Sequence, residues 1–124
     1  MNWNDRDNAI EQKTIAFALR IIKAYKFLMA QSLYTLPKQM LRSSTAIGAL
    51  VQEAQYAESS SGFIHKLRIA LKEANETEYW IYLFYKDGDF KENIYSSLSS
   101  DCVEIKKLLV SIINKSIENG KNQK

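Results

Sequence analysis

The chain has 124 residues, 46% hydrophobic and 25% charged, with a net charge of +3 at pH 7. That length and balance suit one domain with one core, and the mild cationic excess permits a polyanionic partner without requiring it. One proline and four glycines are too few turn residues for a many-stranded β fold, and a single cysteine, Cys102, excludes an internal disulfide and a thiolate metal cluster within one chain.

A lone cysteine suits a reducing cytoplasm. The polar opening MNWNDRDNAIEQ does not read as a secretory leader, and no apolar run approaches the roughly 20 residues of a membrane span. The first element is a helix from about Asn8 to Leu33, with its apolar stripe at Ile10, Thr14, Phe17, Ile21, Tyr25 and Leu28. Asn8 followed by Glu11 has the spacing of a capping box. The second helix spans about 37–57. It opens at Pro37, tolerated in a first turn, and its stripe is Met40, Ser44, Ile47, Val51 and Ala54.

After the break at Ser59-Ser60-Ser61-Gly62, a third helix spans about 62–85. Phe63, Leu67, Ala70, Ala74, Thr77, Ile81 and Phe84 alternate steps of four and three, an unbroken heptad seam that packs at a shallow angle in bundles. Lys86-Asp87-Gly88-Asp89 is a turn signal, and the residues just after it are ambiguous. The fourth helix runs from about Ser97 to Asn119, with Cys102, Ile105, Leu109, Ile112 and Ser116 as its stripe, Gly120 as its C′ residue and KNQK as a frayed tail. Four long amphipathic helices with mostly short links predict an all-α fold, an antiparallel up-down-up-down four-helix bundle forming a single domain over residues 1–124.

The third helix has a basic first half, Lys66, Arg68 and Lys72, and acids at Glu73, Glu76 and Glu78. An antiparallel hairpin of helices 2 and 3 turning near residue 59 or 60 sets Arg42 level with Thr77 and Glu78, and Glu53 level with Lys66 and close to His65. A turn near residue 91 sets Lys106 and Lys107 level with Glu76 and its neighbours. The charges therefore read as an interhelical polar network of Arg42, Glu53, His65, Lys66, Glu76 and Glu78. Exposed pairs contribute only about 0–1 kcal/mol each, so register and pairing specificity are the better rationale for them.

No catalytic residue and no metal or other cofactor is expected. His65 is the sole histidine, and its helical neighbours Arg68, Ile69 and Lys72 are not metal ligands. The glutamates resemble the inward carboxylates of di-iron bundles, but the required Glu-x-x-His pair fails, because Gly62 stands three residues before His65. There is no Gly-rich phosphate loop. The aromatic run Tyr79, Trp80, Tyr82, Phe84 and Tyr85 surrounds its helix, while a bundle core takes one stripe. Tyr79, Trp80, Tyr82 and Tyr85 are therefore oligomer-interface candidates, with outer packing as the alternative. Arg20, Lys23 and Lys26 on helix 1, with Lys106, Lys107 and Lys115 on helix 4, are candidates for a shared basic face that tracks the phosphates of RNA or DNA.

The segment RSSTAIGALVQEAQYAESSSGFIHKLRIALKEANETEYW (Arg42 to Trp80) closely resembles the bacterial four-helix bundle family whose founding members are encoded in intervening sequences of 23S ribosomal RNA genes. Arg42, Ser43, Ile47, Gly48, Ala49, Glu53 and Ala54 match the first half of the family pattern. Phe63, Ile64, Lys66, Ile69 through Ala74, Glu76, Thr77, Tyr79 and Trp80 match the second. Leu50 stands where the family usually has Asn, and Ala46 where it usually has Ser. The resemblance implies an antiparallel bundle that assembles into a ring-like homo-oligomer, often a pentamer, with no established activity. A more distant similarity reaches the basic accessory proteins of diversity-generating retroelements, which bind nucleic acid and a reverse transcriptase. The expectation is thus a non-enzymatic, oligomeric, nucleic-acid-associated bundle. The alternative is a protein-interaction or self-assembly scaffold with a protein partner and no membrane.

Overall fold

The computed structural model describes the backbone of residues 5–122 and the side chains of residues 9–121. Its elements are α1 (Asp5–Ala30), α2 (Thr35–Gln55), α3 (Ser60–Lys86) and α4 (Glu92–Asn122). Each helix packs on two neighbours in a closed ring, α1 on α2, α2 on α3, α3 on α4 and α4 on α1, with no diagonal pairing among the described residues. Cross-helix contacts run in opposite directions along each neighbouring pair. Gln52 reaches Glu11, Lys66 reaches Glu53, Lys106 reaches Glu78, and Lys13 and Arg20 reach Glu104 and Asp101 in descending register. The fold is therefore an antiparallel four-helix bundle.

The heptad seams supply its core. From the stripes named above, Ile10, Phe17, Ile21, Met40, Ile47, Leu67, Ile81, Cys102, Ile105 and Leu109 are all buried. Tyr25, Phe63 and Ser116 are half-buried at its edge. The fully buried Thr14, Ser43, Ser44 and Thr77 are hydrogen-bonded rather than left bare. Thr14 donates to the carbonyl of Glu11 and Ser44 to that of Leu41, which keeps these hydroxyls satisfied inside an apolar stripe.

Helix ends explain where the sequence boundaries move. α1 is already helical at Asp5, so Asn8 lies within the helix rather than at its cap, and the Asn8 side chain is outside the described residues. The same helix ends at Ala30, before Leu33. Ser32 adopts φ of 63°, and the N–H groups of Ser32 and Leu33 donate back to the carbonyls of Met29 and Leu28. That is a Schellman cap with serine where glycine is usual. α3 opens on Ser59, whose Oγ accepts from the N–H of Gly62 at 3.0 Å, so the serine cluster is an N-cap.

A second Schellman cap closes α3. Gly88 has φ of 89°, Gly88 N–H donates to Tyr85 and Asp89 N–H to Phe84, and Phe90 folds back edge-on against Phe84 with ring centroids 5.7 Å apart. With the chain pinned there, α4 begins at Glu92, five residues before the expected Ser97. Glu92 in the first turn suits the positive end of the helix dipole. Gly120 does not stop α4. The helix continues through it to Asn122, and a Cβ built at Gly120 would meet nothing within 4 Å, so no contact forces a break there. Gln123 and Lys124 of the expected frayed tail lie outside the described residues.

Candidate interaction surfaces

The seam between α2 and α3 carries the densest polar network. The Arg42 guanidinium forks between two carboxylates, donating to Glu73 at 2.9 Å and to Glu76, while its Nε reaches Gln39. Trp80 Nε1 donates to the same Glu76 carboxylate at 2.9 Å. These contacts hold the Glu76 carboxyl below the usual carboxylate range. The Trp80 hydrogen bond is the largest cause, partial burial opposes it, and Arg42 adds to it. They also hold the Arg42 guanidinium above its usual value, with the Glu76 hydrogen bond first and Glu73 next. Arg42 thus meets the acidic half of α3 close to the level expected for it, through Glu73 and Glu76, while Glu78 is not its partner. Glu53 accepts from Lys66 at 3.2 Å. His65 is exposed beside that pair, on a shallow depression it shares with Tyr56 and Glu58.

Glu78 belongs to the next seam, where Lys106 of α4 donates to it at 3.2 Å. Beneath that pair, the buried Cys102 thiol donates to the carbonyl of Ala74 at 3.3 Å. Burial, with Glu78 adding to it, pushes that thiol up to about 12. Across the ring, Arg20 of α1 reaches Asp101 and both the hydroxyl and the carbonyl of Ser97, and Lys13 reaches Glu104. Sequence reasoning missed Asp101, Glu104 and Glu73 as partners. The first two become visible once α4 is known to close the ring on α1.

These pairings separate the six basic candidates. Arg20 is held toward α4 and Lys106 toward α3, on opposite flanks of α4. Lys23, Lys26, Lys107 and Lys115 are exposed and join no ion pair among the described residues. Lys23 and Arg20 line a groove of about 680 Å³ between the end of α1 and the α3–α4 turn, together with Phe27, Phe90, Lys91 and Ile94. Asp89 also lines this groove. Its Oδ2 is buried without a hydrogen-bond partner, and burial, then Asp87, raises its carboxyl above the usual range.

The aromatic candidates also separate. Tyr85 stacks on Tyr95 of α4, centroids 4.2 Å apart and planes within 10°, and Trp80 is half-buried over Glu76. Tyr79 and Tyr82 remain 55% and 45% exposed. Leu50 and Ala46 are partly buried, with Leu50 packed against the core. Outward apolar residues occur where the stripe analysis did not look. Ile15 and Leu19, one turn apart on α1, are 50% and 57% exposed, and Ile22 continues their row with partial exposure.

Among the described residues, no group of three or more His, Cys, Asp or Glu side chains converges as a metal site, and no helix is long and apolar enough to cross a membrane. Fold and surfaces together define an all-α four-helix bundle with charged interhelical seams. The family model described as 23S rRNA-intervening sequence protein matches residues 6–111, and the chain belongs to that family. Among solved structures, it is similar to a Bacteroides thetaiotaomicron protein of the S23 ribosomal protein family, described as of unknown function. The two are 48% identical with a TM-score of 0.86, over 88% of this chain and 98% of that one. No curated protein matches the chain.

Proposed function

We propose that this protein is a non-enzymatic self-assembly scaffold, a bundle whose copies join through the outward face of α1. The observation that carries this reading is the Ile15–Leu19–Ile22 row. α1 has already buried Ile10, Phe17 and Ile21 in its own core, yet it holds a second apolar row facing water. A helix that is apolar on two faces gains by covering the second one. The core of a subunit contact is where such residues go, with charge kept to its rim. Lys26 and Gln12, at the two ends of the row, are polar and exposed and suit that rim. The ring-like assembly implied by the family resemblance agrees with this reading. Its test is size-exclusion chromatography with light scattering on the double variant Ile15→Glu/Leu19→Glu. The variant is expected to lose the oligomer while keeping its helical circular dichroism. An oligomer unchanged in mass would remove α1 as the joining face.

Nucleic-acid association on an α1/α4 face is less well supported by the geometry. Arg20 and Lys106 spend their charge on Asp101 and Glu78 in different seams, which leaves Lys23, Lys26, Lys107 and Lys115 as the free cations of that set.

A further inference from the structure

The outer face of α3 carries a row that none of the interhelical ion pairs uses. Arg68, Lys72, Asn75, Tyr79, Tyr82 and Lys86 follow one another in alternating steps of four and three, so they stand on one side of the helix, and every one is exposed. Arg68, Lys72 and Lys86 join no ion pair among the described residues, unlike Lys66 one step away on the same helix. Lys107 of α4, also unpaired and exposed, flanks the row beside Asn75.

The two tyrosines in this row each meet an aromatic neighbour. Tyr79 is braced edge-on by Trp80, centroids 5.3 Å apart. Tyr82 is braced edge-on by Tyr95 at 6.1 Å, and Tyr95 is itself stacked on Tyr85. Lys86 Nζ lies 6.0 Å from the Tyr82 centroid. Both rings thus touch an aromatic neighbour yet stay about half open to solvent, with cations at both ends of the row. The six residues of the row include no carboxylate, which suits a polyanion, and open ring faces beside the cations suit the bases of a nucleic acid.

We propose that the outer face of α3 binds single-stranded nucleic acid, with Arg68, Lys72, Lys86 and Lys107 neutralising phosphates and Tyr79 and Tyr82 stacking on bases. Sequence-tolerant binders of single strands combine these two elements, a cationic track and aromatic platforms. The row from Arg68 to Lys86 extends about 27 Å at the rise of an α-helix, room for about eight stacked nucleotides. α3 lies diagonally across the bundle from α1, so assembly through α1 leaves this row accessible. The proposal therefore stands or falls separately from the scaffold reading.

The test is fluorescence anisotropy of the full chain with a labelled unstructured single-stranded RNA, beside an abasic strand of the same length and charge, over a range of salt. The expected result is binding that weakens as salt rises, with a log–log slope of about −0.7 per phosphate neutralised. The abasic strand should bind more weakly by about fivefold or more for each base stacked. Arg68→Glu/Lys72→Glu should weaken both strands and flatten the salt slope. Tyr79→Ala/Tyr82→Ala should erase the preference for the strand with bases while leaving the slope unchanged, and Tyr82→Phe with Tyr79 intact should retain it. Equal affinity for the abasic strand, displacement of the RNA by polyglutamate at matched charge, or indifference to Arg68→Glu/Lys72→Glu would each overturn the proposal. Retained helical circular dichroism in each variant excludes unfolding as the cause of any loss.

Discussion

Ser43 Oγ and Thr77 Oγ1 lie 2.8 Å apart, both fully buried, where α2 crosses α3. Thr77 Oγ1 also lies 2.8 Å from the carbonyl of Glu73 and Ser43 Oγ 3.3 Å from that of Met40, so either hydroxyl can donate across the pair while the other donates to its own helix. The pair ties the two helices together at one level of the core, just beneath Arg42 and Glu73. Removing one partner leaves the other poorly satisfied, whereas removing both leaves a simple apolar contact. Ser43→Ala and Thr77→Val should each cost about 1 kcal/mol, and the double variant clearly less than their sum. Urea unfolding of the four proteins in this cycle measures the coupling, and strict additivity would show that the bond carries none.

Glu76 sets an acid limb on stability. Its folded carboxyl lies below the unfolded value of 4.5, chiefly because it accepts from Trp80 and then from Arg42. A depressed carboxylate stabilises the fold above the unfolded value, and that contribution disappears as pH falls through the folded value. The stability difference between wild type and Glu76→Gln should be constant near neutrality and shrink below about pH 4.5, with a size of about 1 kcal/mol or less for so exposed a cluster. Denaturation midpoints across that range decide the matter, and a difference that grows with acid would reverse the sign.

Gly88 should resist substitution for a backbone reason alone. A Cβ there would meet nothing within 4 Å, but φ of 89° is a conformation that L side chains rarely adopt. Gly88→Ala should therefore destabilise by about 1 kcal/mol, and Gly88→Asn by less, since asparagine tolerates the left-handed region. Thermal midpoints of the two variants provide the comparison.

Cys102 should be chemically silent in the folded state. Its thiol is fully buried, donates to Ala74 and is pushed up to about 12, so thiolate is scarce near neutral pH. A disulfide-exchange reagent should label it only as fast as the bundle opens, and at once in denaturant. Rapid labelling of the native protein would show that the α3–α4 seam is loose.

The helix count and the inward stripes were legible because a heptad spacing leaves few other choices for Leu67, Ala70, Ala74, Thr77, Ile81 and Phe84, all of which are buried. The start of α4 was not. Its inward spacing does continue back through Leu98 to Tyr95, but the turn signal at Asp87-Gly88-Asp89 and the outward Ile94 obscure it. The end of α1 was hidden because serine, not glycine, takes the left-handed cap at position 32. Charge levels were readable: Glu53 meets Lys66, and Arg42 meets the acidic half of α3, through Glu73 and Glu76 while Glu78 turns to Lys106. The outward row on α1 escaped notice because a stripe analysis stops once a helix has one apolar face. The free cations Arg68 and Lys72 were grouped with Lys66, although they stand on a different side of the same helix.

The central claim is that the bundle assembles through α1, and sedimentation equilibrium at micromolar concentrations tests it most directly. The predicted result is a mass that is a multiple of the 14.3 kDa chain and falls to a single chain for Leu19→Glu. A mass of one chain for the unmodified protein at every concentration would contradict it.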